Sequence, residues 1–288
     1  MIVVTGAGGK TGKAVLKALN AKSLNVRAVV FRRELAQESL DLGANEAVWG
    51  DMRDSQFMMS ALNGAATVYH ICPNVHPDEL TIGRNLVNAA KYCSLDLVAY
   101  HSVIHPQTEK MAHHWQKLRV EELLFESGLA HIILQPAPYL QNILAYIEKI
   151  IQNGVYSVPY NPKSRISMVD LTEVAEAATI LLGSSKFNWG VYELAGTEPL
   201  SQIDVAAALS QRFGIEIRVE QMTLDNWRQY SRKSGLEEYR IEALVSMFRY
   251  YDRFGLKGNK QVLGWILGRE PAQLSEFVND VIEIDNRS

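Results

Sequence analysis

Cysteine is scarce in this sequence. Cys72 and Cys93 are the only two in 288 residues. That is too few for a disulfide framework, and a reducing, cytoplasmic compartment is expected. No uninterrupted apolar run approaches the roughly 18 residues of a membrane span. The N-terminus shows neither the basic segment nor the long apolar core of a secretory signal. Neither sign of charge dominates: 29 Lys and Arg stand against 32 Asp and Glu, a net charge of −3. This balance removes the electrostatic case for nucleic acid as a constitutive partner. Repeats and low-complexity segments are missing, and so is any Cys-x-x-Cys. His101-x-x-x-His105 has the spacing of a helical metal pair, but His101 closes a strand-like run and Pro106 follows directly, so no helix and no metal site are expected there. What remains is a chain of ordinary apolar content, 47%, long enough for one large or two modest domains.

The first twelve residues are the most informative. Ile2-Val-Val-Thr5 runs directly into Gly6-Ala7-Gly8-Gly9-Lys10-Thr11-Gly12, and Val15, Leu16 and Leu19 follow at helical spacing. A buried strand, a glycine turn and a helix in that order grip the pyrophosphate of a dinucleotide, because the helix start aims free N–H groups at the anion. Gly6 serves the tight turn, Gly8 or Gly9 the approach of backbone to phosphate, and Gly12 the close packing of helix on strand. The spacing is G-x-x-G-x-x-G rather than G-x-G-x-x-G, since Thr11 stands where the third glycine would be. Gly9-Lys10-Thr11 echoes the end of a P-loop, but that motif's first glycine would fall on Val4, inside the strand.

Through the first half, strand-like runs (2–5, 26–31, 46–50, 67–71, 95–102 and 131–135) alternate with helical patterns (13–21, 34–42, 55–62, 79–93 and 111–127). Such alternation predicts right-handed βαβ units and a parallel sheet covered on both faces. Residues 1 to about 135 therefore read as a doubly wound, Rossmann-type α/β domain. From 136 onward the character changes. Pro136, Pro138, Pro159 and Pro162 interrupt the chain. Short strands are expected at 155–159, 166–169, 192–194 and 215–221. Helices are expected at 171–182, 201–213, 224–234, 237–252 and 271–282. Residues 136–288 read as a smaller α+β lobe for substrate or partner, with parts of 164–195 returning to the first domain and the lobe lying over the C-terminal edge of the sheet.

The end of the second strand bears on the cofactor. An Asp or Glu there would hold the ribose hydroxyls of NAD; Phe31-Arg32-Arg33 stands there instead. Arginine pairs with a 2′-phosphate, so NADP(H) is expected in preference to NAD. Asp51 and Met52 end the third strand, where Asp51 is either an acceptor for the adenine amino group or a solvated turn residue.

Several motifs together resemble the extended or atypical short-chain dehydrogenases: Thr5-Gly-x-x-Gly-x-x-Gly12, Gly50-Asp51-x-x-Asp54 with Ala61-Leu-x-Gly64, and Met168-Val-Asp-Leu-x-x-Val-Ala175. More narrowly, His113-x-x-x-Lys117-x-x-x-Glu121, Ser127-Gly-Leu and Gln135-Pro136 are similar to the NmrA-like branch, which includes fungal nitrogen regulators, quinone and triphenylmethane reductases and relatives of isoflavone reductase. The resemblance covers residues 1 to about 182. It implies that Gly6 to Thr11 hold the pyrophosphate and Arg32 the 2′-phosphate. It also implies that Cys72-Pro73-Asn74 lies along the nicotinamide ribose, that Lys117 reaches the ribose hydroxyls, and that Tyr139 to Asn142 lies near the nicotinamide. Gln141 stands where the family often has an acid. Ser102 ends the fifth strand, where short-chain dehydrogenases carry a serine that bonds substrate or cofactor; a strand-end serine is also a common turn residue.

Short-chain dehydrogenases usually protonate a carbonyl with the tyrosine of Tyr-x-x-x-Lys. Here His113 occupies the tyrosine position before Lys117, so the usual acid is missing. Three readings follow. The protein is a reductase of a small quinone or aromatic or carbonyl acceptor, with His113, Lys117 or water as proton donor. Or it binds NADP(H) without turnover and reports redox state to a protein partner. Or it is a sugar-nucleotide epimerase, which the missing tyrosine disfavours. Monomer and homodimer are both left open. Dense aromatics from Trp227 to Trp265 read either as lobe core or as the wall of a pocket or partner surface.

Overall fold

The structure is a computed structural model that describes residues 1–285. The first half builds the expected alternation. It runs β1 (Ile2–Val4), α1 (Lys10–Asn20), β2 (Val26–Val30), α2 (Glu34–Asp41), β3 (Glu46–Trp49), α3 (Ser55–Leu62), β4 (Thr67–His70), α4 (Glu79–Tyr92), β5 (Leu97–His101), α5 (Ala112–Ser127) and β6 (His131–Pro136). Strands β1 to β6 pair in parallel, and the seven-stranded sheet has the order β3-β2-β1-β4-β5-β6-β8, with β8 at Gly190–Leu194. This is a Rossmann-type sheet. Its order reverses between β1 and β4, and in open α/β sheets ligands bind outside the carboxyl ends of the strands at such a switch point.

Two compact units make up the chain: Met1–Glu109, His113–Pro136 and Val174–Tyr192 form the first, and Lys110–Ala112, Ala137–Glu173 and Glu193 onward form the second. In the first, Val3, Val68, Val98 and Ile133 from the strands meet Met58, Leu62, Ile82, Leu86, Val120 and Leu124 from the helices in one buried cluster. Gly83 matters here. A Cβ on it would stand 2.7 Å from a Val120 methyl, so the glycine lets α5 lie close against α4. One turn from that contact, Glu79 and Lys117 are brought together.

The remaining elements are α6 (Ile147–Asn153), β7 (Val155–Val158), α7 (Leu171–Leu182), α8 (Gln202–Phe213), β9 (Arg218–Gln221), α9 (Leu224–Lys233), α10 (Glu238–Phe254), α11 (Gln261–Leu267) and α12 (Leu274–Asp285), with single 3₁₀ turns at Leu140–Asn142, Leu144–Tyr146 and Ser185–Phe187. In the second unit β7 and β9 form a separate parallel pair. Ser201 caps α8 in a capping box with Asp204. Two short helices, α6 and α11, were not expected. The strand expected at 166–169 does not form. Ile166 bridges to Leu200 and Leu256 and Val169 to Tyr139, so its backbone groups are shared among three segments and no ladder extends. Within this unit Phe248 stacks on Tyr160 at 5.9 Å and meets Trp227 edge-on at 4.8 Å, while Tyr251 meets Tyr160 at 5.6 Å. Those rings pack on one another; Tyr230, Tyr239, Phe254 and Trp265 stay exposed. Among the described residues no helix is long and apolar enough to cross a membrane, and no group of three His, Cys, Asp or Glu could hold a metal ion.

Candidate functional site

The β1–α1 turn accepts only glycine at two points. Gly6 has φ +62°, and a Cβ on it would lie 2.6 Å from the Ile71 carbonyl oxygen. A Cβ on Gly12 would lie 2.4 Å from the Gly6 carbonyl oxygen and 2.5 Å from Ala7 Cα, so Gly12 is required by the turn itself. Gly9 is the N-cap of α1, no side chain caps the helix, and its first turn holds no acid. Ala7 is buried, and burial lowers the pKa of the Lys10 ammonium. A glycine cradle ahead of an uncapped helix start suits a phosphate group, so these residues fit the pyrophosphate of a dinucleotide.

At the end of β2 the two arginines differ. Arg33 places its guanidinium over the Trp49 ring, 5.2 Å from the centroid, a cation–π contact. Arg32 is exposed, and its guanidinium has no partner among the described residues. Asp51 is engaged locally. Its carboxylate accepts from Arg53 Nη2 at 2.6 Å and Nε at 2.9 Å, and from the Arg53 backbone N–H at 2.8 Å, which holds the carboxyl below its usual range. Met52 is buried beside it, and its carbonyl accepts from Asn85.

A buried polar cluster lies at the ends of β4 and β5. Lys117 Nζ donates to Glu79 Oε1 at 2.9 Å and to the His101 carbonyl at 3.3 Å. The Tyr100 hydroxyl donates to the same Glu79 oxygen at 2.7 Å. Burial alone would raise the Glu79 carboxyl, but Lys117, Tyr100 and the Cys72 thiol together hold it below its ordinary value. Burial pushes Cys72 well up, so it is a thiol rather than a thiolate; Pro73 beside it is exposed. Thr5 and His70 share a hydrogen bond of 2.8 Å, and Tyr69 and His101 one of 2.7 Å.

His113 lies four residues before Lys117, with its ring edge-on to His114 at 4.6 Å. Its Nδ1 is buried without a hydrogen-bond partner. Burial first, then His114 and Lys117, lowers its pKa to about 3, and His114 falls to about 4. The Ser102 hydroxyl donates to Glu121, whose two oxygens also accept from Gln135 Nε2 at 2.9 Å. Burial raises the Glu121 carboxyl despite those donors. Pro136 follows, with its carbonyl accepting from Ile104 N–H at 3.0 Å. In the second unit, Tyr139 is the N-cap of the 3₁₀ turn and Asn142 its last residue, and Gln141 is tied to Asp170 at 2.7 Å and to the Leu171 N–H at 3.0 Å.

Glu79 is the residue that the motifs did not single out, and Glu121 stood in the His113-x-x-x-Lys117-x-x-x-Glu121 motif without a role. Both stand on apolar stripes: Glu79 with Ile82, Gly83, Leu86 and Val87, and Glu121 with Lys117, Val120 and Leu124. A carboxylate at a core-facing helical position is the signal that could have found them.

This chain belongs to the NmrA-like family, whose model matches residues 1–283, as the motifs around Lys117 implied. It is 27% identical over 279 residues to the NAD(P)H azoreductase of Xenophilus azovorans, which covers 96% of each chain. Its fold matches that of the NADPH complex of an NADPH-dependent quinone oxidoreductase from Escherichia coli, with a TM-score of 0.86 at 24% identity, covering 98% of this chain and 100% of that one. It also matches the NADP(H) complex of triphenylmethane reductase from Citrobacter sp., with a TM-score of 0.85 at 20% identity and 97% and 99% coverage.

Proposed function

We propose that this member of the NmrA-like family binds NADPH in its first unit and reduces a quinone or another flat aromatic acceptor. The observation that carries this reading is an uncapped, glycine-built helix start in the same unit as a buried Lys117 at the ends of β4 and β5. Residues Gly6 to Gly12 would hold the pyrophosphate. Arg32, whose guanidinium is unspent, would pair the 2′-phosphate and favour NADP(H) over NAD(H). Asp51 and Met52 would border the adenine. Cys72, Pro73, Ser102 and Lys117 would border the nicotinamide ribose, with Pro136 close by at the end of β6. The azo, quinone and triphenylmethane reductases among its relatives support an aromatic acceptor.

Bound NADPH supplies a hydride, and a quinone that takes it needs one further proton to become the hydroquinone. Lys117 is the side chain suited to bind the acceptor oxygen or hand over that proton. His113, which binds a proton only near pH 3, is a neutral ring at working pH and shapes the site. Tyr100 is held as a phenol by burial and by Glu79, and its hydroxyl is already spent.

NADPH oxidation measured across quinones, azo dyes, aldehydes and imines tests the reading. Saturable turnover with quinones is expected, with NADPH bound more tightly than NADH. Tight NADPH binding with no turnover on any acceptor would favour a redox-sensing regulator instead.

A further inference from the structure

An ammonium has three N–H donors. Lys117 spends two, on Glu79 and on the His101 carbonyl. The third has no hydrogen-bond acceptor among the described residues. The Nζ also sits 5.2 Å from the centroid of the Tyr100 ring, so one side of the ammonium is walled by an aromatic face. Glu79 is the fixed point of this arrangement. It is 3% exposed, it opens α4, and its carboxylate is held by Lys117, by the Tyr100 hydroxyl and by the Cys72 thiol. Burial penalises an uncompensated charge, and Glu79 is the anion that the ammonium touches. Among the described residues no other anion touches it; Glu121 acts on it only through space. His70, His101, His113 and His114 are neutral rings at neutral pH, and Glu121 is committed to Ser102 and Gln135.

We propose that Glu79 is a positioning residue: it keeps Lys117 charged inside the protein and aims the ammonium's unspent N–H at a hydroxyl or carbonyl oxygen of a bound ligand. This rests on the reading of the site as an NADPH-dependent reductase. Glu79 touches no ligand itself; it acts through Lys117.

The charge and the aim separate by mutation. Glu79→Gln keeps the shape and removes the anion. Glu79→Asp keeps the anion and draws it back by one methylene. The direct readout is the titration of the Lys117 side chain by NMR in the protein without cofactor. Wild type and Glu79→Asp are expected to hold the ammonium proton to a higher pH than Glu79→Gln does. Glu79→Gln is expected to lose the proton at least about two pH units lower. In quinone-dependent NADPH oxidation, Glu79→Gln should come within about threefold of wild type near pH 6 and fall at least about tenfold behind near pH 9. Glu79→Asp should lose turnover about equally at every pH. A weakened NADPH dissociation constant in Glu79→Asp identifies the ligand oxygen as a ribose hydroxyl; a lowered kcat with NADPH affinity intact identifies it as the acceptor's carbonyl. Identical Lys117 titrations in wild type and Glu79→Gln would overturn the proposal. Unchanged turnover in Glu79→Asp would overturn the aim, and that variant decides the matter if Glu79→Gln does not fold. A wild type without turnover would sink the reductase reading, while the NMR titration would still judge Glu79.

Discussion

All seven histidines and both cysteines lie in the first unit, and the second unit has none of either. The first unit also buries Glu79, Lys117 and Glu121, and four of its histidines, the buried His70, His101 and His114 and the half-buried His113, have lowered pKa values. Among the described residues the second buries one acidic side chain, Glu173, which pairs with Arg269. Its interior is filled instead by rings such as Tyr160, Phe248 and Tyr251 that pack on each other. The difference separates two ways of using a core. One unit keeps ionisable groups out of water, where their charges are costly and strong; the other spends its interior on packing. Proton-linked chemistry belongs in the first.

Acid should separate the two most strongly. Burial holds His70 and His114 near 4 and His101 and His113 near 3, against about 6.5 in an unfolded chain. A folded pKa below the unfolded one means that the stability is present above about pH 6.5 and is lost as the pH falls from there. Each pH unit withdraws about 1.4 kcal/mol per histidine, so four of them remove about 8 kcal/mol by pH 5, the scale of a domain's whole stability. Glu79, also held low, adds to the loss; Glu121, held high, acts in the opposite sense. Amide hydrogen exchange should show the first unit losing protection between about pH 6 and pH 4.5 while α8 and α10 remain protected. Simultaneous loss in both units would break the comparison.

Next comes Lys117→Met, which strands a buried carboxylate. It should cost about 3–5 kcal/mol in thermal or denaturant unfolding. Adding Glu79→Gln should recover most of that cost, and no recovery would mean that the two residues are not coupled. Arg32→Ala touches only the mouth of the first unit. NADPH binding should weaken about tenfold, or about 1.4 kcal/mol, with NADH unchanged; Arg33→Ala should do less, because Arg33 is spent on Trp49. The smallest effect belongs to the second unit. Ser201→Ala removes the cap of α8 and should cost about 1 kcal/mol with NADPH affinity unaltered.

The parts of the site made by backbone were legible in the sequence. The β1–α1 turn needs glycine where chain meets chain, and alternating periodicities predict α2 to α5 within a residue or two of their ends. The parts made by side chains were not. Lys117 stood out through its spacing from His113, but its partner lies 38 residues away on another helix, and no local pattern joins them. The edge strand β8 was legible only as a short strand candidate, because it joins the sheet after β7, which pairs with β9 instead. The segment at 166–169 has strand-like residues, yet three neighbours divide its hydrogen bonds.

Rapid mixing of NADPH-loaded protein with a simple naphthoquinone tests the central claim most directly. Reduced-nicotinamide absorbance should fall in a single turnover whose rate saturates with quinone. NADPH that stays bound and reduced at saturating quinone would contradict it.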